Sequence, residues 1–130
     1  MSILPSDEWE VVLDALLQAP SGLLTDIDGT ISPVAPTPDE ARVDPEATEV
    51  LESLSTKLAV VGAITGRGTQ YAYDMVGVPG MVYAGNHGLE DLLDGEVTLV
   101  PEAEPYAGRI AEVFAQARPQ VSSPGVLWED

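Results

Sequence analysis

The sequence contains no cysteine. That absence excludes a disulfide framework, a thiolate nucleophile and a cysteine-ligated zinc. Histidine occurs once, at His87, so a multi-histidine metal site is excluded as well. Positive charge is scarce: 5 Lys and Arg face 22 Asp and Glu, the formal net charge is −17, and Lys57 is the one lysine. A surface so negative repels phosphate backbones and argues against nucleic-acid binding. It also repels a free anionic metabolite unless a metal or a local nest of amides reverses the sign. No stretch approaches the roughly 18 uncharged apolar residues of a membrane span. Met1-Ser2-Ile3-Leu4-Pro5 lacks the basic region and apolar run of a secretory signal. The expectation is a cytoplasmic chain with neither membrane nor nucleic-acid partners.

What is present is 130 residues, 45% of them apolar, enough for one compact core. Asp7 to Gln18 reads as a helix with Ser6 as its cap and Trp9, Val12, Leu13, Leu16 and Leu17 as its apolar stripe. Leu23 to Asp28 reads as a buried parallel strand, apolar on both faces until it reaches two aspartates. Gly29 to Arg42, with three prolines, is loop. Pro45 opens a helix that runs to Lys57, Leu58 to Ile64 is a second buried strand, and Thr69 to Val76 is a helix. Met81 to Ala84 is a third strand, closed by Gly85-Asn86-His87-Gly88. Strand and helix alternate, with a polar, glycine-rich turn after each strand, which is the pattern of an α/β domain with a parallel sheet.

The remainder changes character. Leu89 to Leu93 and Glu96 to Val100 flank Asp94-Gly95, a two-residue hairpin turn. Ala107 to Arg118 has helical spacing, and Val126-Leu127-Trp128 begins another strand. The organisation expected is an N-terminal helix over 1–20, half of an α/β core over 21–88, and the start of a small α+β unit over 89–130.

Ligands of an open parallel sheet sit beyond the carboxyl ends of its strands, so the polar residues after the three strands should be neighbours. They are Asp26, Asp28, Gly29 and Thr30, then Thr65, Gly66 and Arg67, then Asn86 and His87. A buried strand ending in Asp-x-Asp puts both carboxylates on one side, and Gly29 lets the chain turn so that amides face an anion. Two carboxylates beside an amide nest suit a magnesium ion and a phosphate.

Leu23-Leu24-Thr25-Asp26-Ile27-Asp28-Gly29-Thr30 resembles the first motif of haloacid dehalogenase-like phosphatases, and Ile64-Thr65-Gly66-Arg67 resembles their second. Tyr83-Ala84-Gly85-Asn86-His87-Gly88-Leu89-Glu90 is similar to a segment of trehalose-6-phosphate phosphatases, as is the closing Trp128-Glu129-Asp130 to the start of a cap segment of theirs. The resemblance covers Gly22 to Asp130. It implies a partial haloacid dehalogenase-like Rossmannoid sheet with the start of a small α+β cap. It further implies magnesium-dependent hydrolysis of trehalose 6-phosphate through an aspartyl-phosphate. Asp26 would be the nucleophile and Asp28 the general acid and base. Magnesium would lie on the Asp26 carboxylate and the Asp28 carbonyl. Gly29, Thr30, Thr65 and Gly66 would hold the phosphoryl oxygens, and Arg67, Asn86, His87 and Glu129 would face the sugar phosphate.

The family pattern also requires a site lysine and a further acidic pair, and these 130 residues carry neither. Lys57 falls at the opposite end of the sheet from the site. Without the strands that flank it in the family, strand Leu23 to Asp28 would be an exposed edge. The expectation is therefore a truncated chain, impaired as an enzyme, or a non-catalytic half-domain that pairs this edge with a partner chain or with itself. Plainer readings stand beside these. A calcium loop is excluded because Thr30 and Thr37 occupy positions that need ligands. Thr65-Gly66-Arg67 can be an ordinary turn, His87 a hydrogen-bonding loop residue, and Glu129 and Asp130 solvated charges.

Overall fold

The computed structural model describes residues 6–126 and 128. The chain divides into two compact units, residues 1–98 and 99–130. The first begins with helix α1 (Ser6–Leu17), followed by β1 (Gly22–Thr25), α2 (Pro45–Ser55), β2 (Val60–Ile64), α3 (Thr69–Val76), β3 (Val82–Gly85) and β4 (Glu90–Leu93). Strand β5 (Glu96–Leu99) ends at the junction, and α4 (Glu104–Ala117) lies in the second unit.

One sheet runs in the order β1-β2-β3-β4-β5. Strands β1, β2 and β3 are parallel, with Leu23 opposite Val61, Leu24 opposite Gly62 and Ala63 opposite Tyr83. Helices α2 and α3 are the crossovers that parallel pairing demands. Their starts follow local chemistry: the Asp44 carboxylate accepts from the Glu46 amide ahead of Pro45, and α3 closes on Gly77 at φ 70°. The core is Ile27, Leu51, Val61, Ala63, Ala72, Val76, Val78, Met81, Tyr83 and Leu92. Tyr73 meets Tyr83 edge to face at 5.9 Å.

The α/β expectation is met, and α3 has the expected bounds. The first strand is shorter than expected. It stops at Thr25, so Asp26 and Asp28 lie beyond it rather than on it. The turn that buries Ile27 in the core ends it: the Asp26 carboxylate accepts from the Ile27 amide at 2.7 Å, and the Ile27 carbonyl accepts the amides of Thr30, Ile31 and Ser32 at 3.2, 3.1 and 3.0 Å. The strand is also not buried on both faces. Its residues alternate between exposed and half-buried, and Leu24 is 56% exposed on the free edge. The second strand likewise starts at Val60, two residues later than Leu58.

The hairpin forms as expected, with Asp94 and Gly95 at φ 51° and 82°. It continues the sheet, however. β4 pairs antiparallel with β3, placing Leu92 opposite Tyr83 and Glu90 opposite Gly85, and this pairing keeps residues 89–98 with the first unit. In the second unit α4 begins at Glu104, three residues before Ala107, with Pro105 in its first turn. Phe114 packs edge to face on Trp128 at 5.3 Å, while Tyr106, Ile110 and Val113 are exposed. Val126 and Trp128 are in no strand, and Leu127, Glu129 and Asp130 lie outside the described residues. No helix among the described residues is long and apolar enough to cross a membrane.

Candidate active site

Parallel strands deliver their carboxyl ends to one edge of the sheet. There a cleft of about 540 Å³ is lined by Leu24, Thr25, Asp26, Ile64, Thr65, Gly66, His87 and Gly88. Residues following all three parallel strands thus converge, although their positions in the chain span more than sixty residues. Asp26 is exposed on this surface, and Ile27, fully buried next to it, anchors it to the core.

Thr65 is buried, with its amide bonded to the Ala84 carbonyl and its hydroxyl oxygen accepting from the Arg67 amide at 3.1 Å. Its own hydroxyl proton remains available for a ligand. Among the described residues the Gly66 amide has no hydrogen-bond partner, and Gly66 lines the cleft. The amides of Gly29 and Thr30 are placed differently from expectation: they donate to the carbonyls of Ser32 (2.7 Å) and Ile27 (3.2 Å), closing the turn on itself. Gly29, at φ 82°, supplies the left-handed conformation that this turn needs.

Asn86 and His87 follow β3 with φ of 50° and 59°, a conformation costly for side chains other than glycine. Two bonds hold it: the Asn86 amide donates to the Arg67 carbonyl (2.7 Å) and the His87 amide to the Thr65 carbonyl (3.2 Å). The His87 ring then lies against Gly66. A Cβ at position 66 would come within 2.7 Å of its Cε1, so glycine is what lets the ring settle there.

Asp28 is not among the residues lining the cleft. Its two carboxylate oxygens accept from Nε and Nη2 of Arg67 at 2.7 and 2.8 Å. That hydrogen bonding is the largest influence on Asp28 and holds its carboxyl below the ordinary carboxylate range. Partial burial opposes it and the Arg67 charge assists it. The same pair raises Arg67.

Lys57 is remote in the sense expected: its ammonium donates to the Ser53 hydroxyl at the end of α2, just ahead of the amino end of β2. A role the sequence did not disclose belongs to Glu90. Its carboxylate accepts from the Thr69 amide, capping α3 where Gly68 offers no side chain. The signal was a helix start with no acidic or hydroxyl residue before it.

As for metal, no group of three or more His, Cys, Asp or Glu among the described residues could hold one. The Asp26 carboxylate is exposed and is the one acidic side chain among the residues that line the cleft. It fits an ion that keeps several waters and takes its remaining ligands from a phosphate.

A family model described as trehalose-phosphatase matches residues 24–114. The trehalose-phosphate phosphatase of Mycobacterium leprae is 35% identical over 118 residues, 89% of this chain and 27% of that protein. The probable trehalose-phosphate phosphatase of Sinorhizobium fredii is 37% identical over 110 residues, 83% of this chain and 40% of that protein. The chain thus spans well under half the length of these relatives. In fold it is similar to a trehalose-6-phosphate phosphatase related protein, with TM-score 0.72 at 20% identity over 82% of this chain and 46% of that one. It is also similar to the C-terminal domain of the C. albicans trehalose-6-phosphate phosphatase, with TM-score 0.66 at 20% identity over 93% of this chain and 43% of that one.

Proposed function

This chain belongs to the trehalose-phosphatase family, and from that premise we propose that its cleft is the nucleophile-bearing half of a cytoplasmic, magnesium-dependent phosphatase acting on trehalose 6-phosphate. The observation that carries the reading is the convergence of Asp26, Thr65, Gly66 and His87 on one cleft at the carboxyl ends of the parallel strands. Magnesium, held by the Asp26 carboxylate and the Asp28 carbonyl, would supply the positive charge that a chain of net charge −17 lacks toward a phosphate.

The remaining chemistry belongs to the chain. An Asp26 carboxylate oxygen attacks phosphorus, the bond from phosphorus to the sugar oxygen breaks, and Asp28, once out of its pair with Arg67 and protonated from solvent, gives that oxygen a proton. Asp28, now a carboxylate, takes a proton from water as the water attacks the same phosphorus. Inorganic phosphate leaves and Asp26 is restored. The Thr65 hydroxyl and Gly66 amide hold equatorial phosphoryl oxygens. His87, which lines the cleft, and Asn86 beside it in sequence would face the leaving sugar.

Turnover by these 130 residues alone is expected to be feeble, because Lys57 is remote and, among the described residues, no third acidic ligand joins Asp26 and Asp28. Phosphate release from trehalose 6-phosphate with and without magnesium, in the parent chain and in Asp26→Asn, tests the reading. Release that is slow, magnesium-dependent and abolished by Asp26→Asn supports it. Release indifferent to Asp26→Asn sinks it.

Among the described residues β1 is the outermost strand on its side of the sheet, and that edge favours a second reading, a half-domain completed by another chain. Leu24 is 56% exposed on that edge. Light scattering separates the two, since a monodisperse monomer that turns over unaided argues against a required partner.

A further inference from the structure

Asp28 and Arg67 lie 39 positions apart and meet in a two-pronged ion pair. The two sides of the pair are held unequally. Arg67 Nη1 donates to the Pro38 carbonyl at 3.1 Å, and its guanidinium carbon stands 5.1 Å from the centre of the Tyr71 ring. The Tyr71 hydroxyl donates to that same carbonyl at 3.3 Å, and the Arg67 amide is tied to Thr65 at 3.1 Å. Only 14% of the Arg67 side chain is exposed, against 40% of Asp28. The guanidinium is therefore held by two groups besides Asp28, the Pro38 carbonyl and the Tyr71 ring, and its backbone by Thr65, so Asp28 is the partner free to leave.

Both carboxylate oxygens are occupied in the fork, and Asp28 does not line the cleft that Asp26 lines. A general acid needs one oxygen that carries a proton and can reach the leaving group. We infer that Arg67 is a positioning residue that parks Asp28 outside the cleft, and that Asp28 serves a leaving-group oxygen only after releasing the fork. This rests on the reading of Asp28 as the proton carrier. A planar guanidinium suits the task because its rigid fork meets the two oxygens with two parallel N–H bonds, a geometry that the point charge of an ammonium lacks.

The test uses the unaltered 130-residue chain. The Nε–H signal of Arg67 and the amide signal of Gly66 are followed by NMR with magnesium alone and then with tungstate, a tetrahedral oxyanion shaped like a phosphoryl group. The expected result is a shift of Gly66 together with exchange of the Arg67 Nε–H with water faster by about tenfold, as a charge-assisted bond is given up. A shift of Gly66 with Arg67 unchanged overturns the inference, because Asp28 has then stayed in the fork. If neither signal moves, the cleft does not accept a phosphoryl-shaped anion; the phosphatase reading itself fails, and the Arg67 inference with it.

Kinetics supply the second arm. Arg67→Gln should raise the ratio of phosphate release from trehalose 6-phosphate to that from 4-nitrophenyl phosphate, whose leaving group needs no proton. Arg67→Lys should fall between it and the parent chain. A ratio that drops in Arg67→Gln would overturn the inference, because it shows that the fork orients Asp28 productively.

Discussion

The Glu90 carboxylate on β4 accepts both the amide of Thr69, at 2.6 Å, and its hydroxyl, at 3.3 Å. An antiparallel strand thereby supplies the cap of the helix that follows the second parallel strand. It also fixes the turn through Thr65, Gly66 and Arg67 to the turn after β3. Replacing Glu90 by Ala removes a capping acceptor from a helix N-terminus and should cost about 1–2 kcal/mol. Glu90→Gln should recover part of that loss. Chemical denaturation of the two variants, compared at unchanged m-value, checks the order.

Gly85, opposite Glu90, lies close against this turn. A Cβ there would stand 2.7 Å from the Arg67 carbonyl and 2.8 Å from the Thr69 amide, both backbone atoms that cannot swing aside. Gly85→Ala should destabilise the first unit by roughly 1–3 kcal/mol, the range of overpacked sites. For Gly66→Ala the three nearest atoms are all in the His87 ring, a side chain that can swing aside, so stability should change little while that ring is displaced. Thermal melts together with the His87 ring resonances would show whether the two glycines separate in this way.

Ile27 is fully buried between the exposed Asp26 and Asp28. Ile27→Ala should cost about 2–5 kcal/mol, as large-to-small changes in a packed core do. Ile27→Val should cost about 0.5–1.5 kcal/mol. If urea unfolding placed both variants within error of the parent, the turn would not depend on this anchor.

Two pH limits follow from named groups. Burial pushes the Tyr83 hydroxyl up to about 12, with the neighbouring Tyr73 adding to it. Tyr83 is neutral when folded and ionises near 10 when unfolded, so its contribution is complete below pH ~10 and is lost as pH rises toward 12. The loss should total about 2–3 kcal/mol, and Tyr83→Phe should flatten that alkaline limb. At the acid end the shift of Asp28 is downward. The contribution of its pair with Arg67 is present above the ordinary carboxylate range and disappears as pH falls below it. Asp28→Asn should remove that acid dependence, read as unfolding midpoints against pH.

The sequence by itself determined whatever local pattern encodes. The uninterrupted apolar run of the second strand, the spacing of α3 from Thr69 to Val76, Pro45 at a helix start and Asp94-Gly95 between two extended segments are each short-range signals, and each produced its element. It also placed Asp26, Thr65, Gly66 and His87 after successive strands, which parallel pairing then brings to one edge. Tertiary structure decided where β1 ends, because the turn that buries Ile27 collects three amides on one carbonyl and takes the aspartates off the strand. It decided that the amides of Gly29 and Thr30 close that turn, and that the hairpin extends the sheet through Leu92 opposite Tyr83. It decided, above all, that the two aspartates part company. Alternation along a strand predicts one shared face for them, but a guanidinium 39 residues away, anchored on Pro38 and Tyr71, draws Asp28 aside and leaves Asp26 to the cleft.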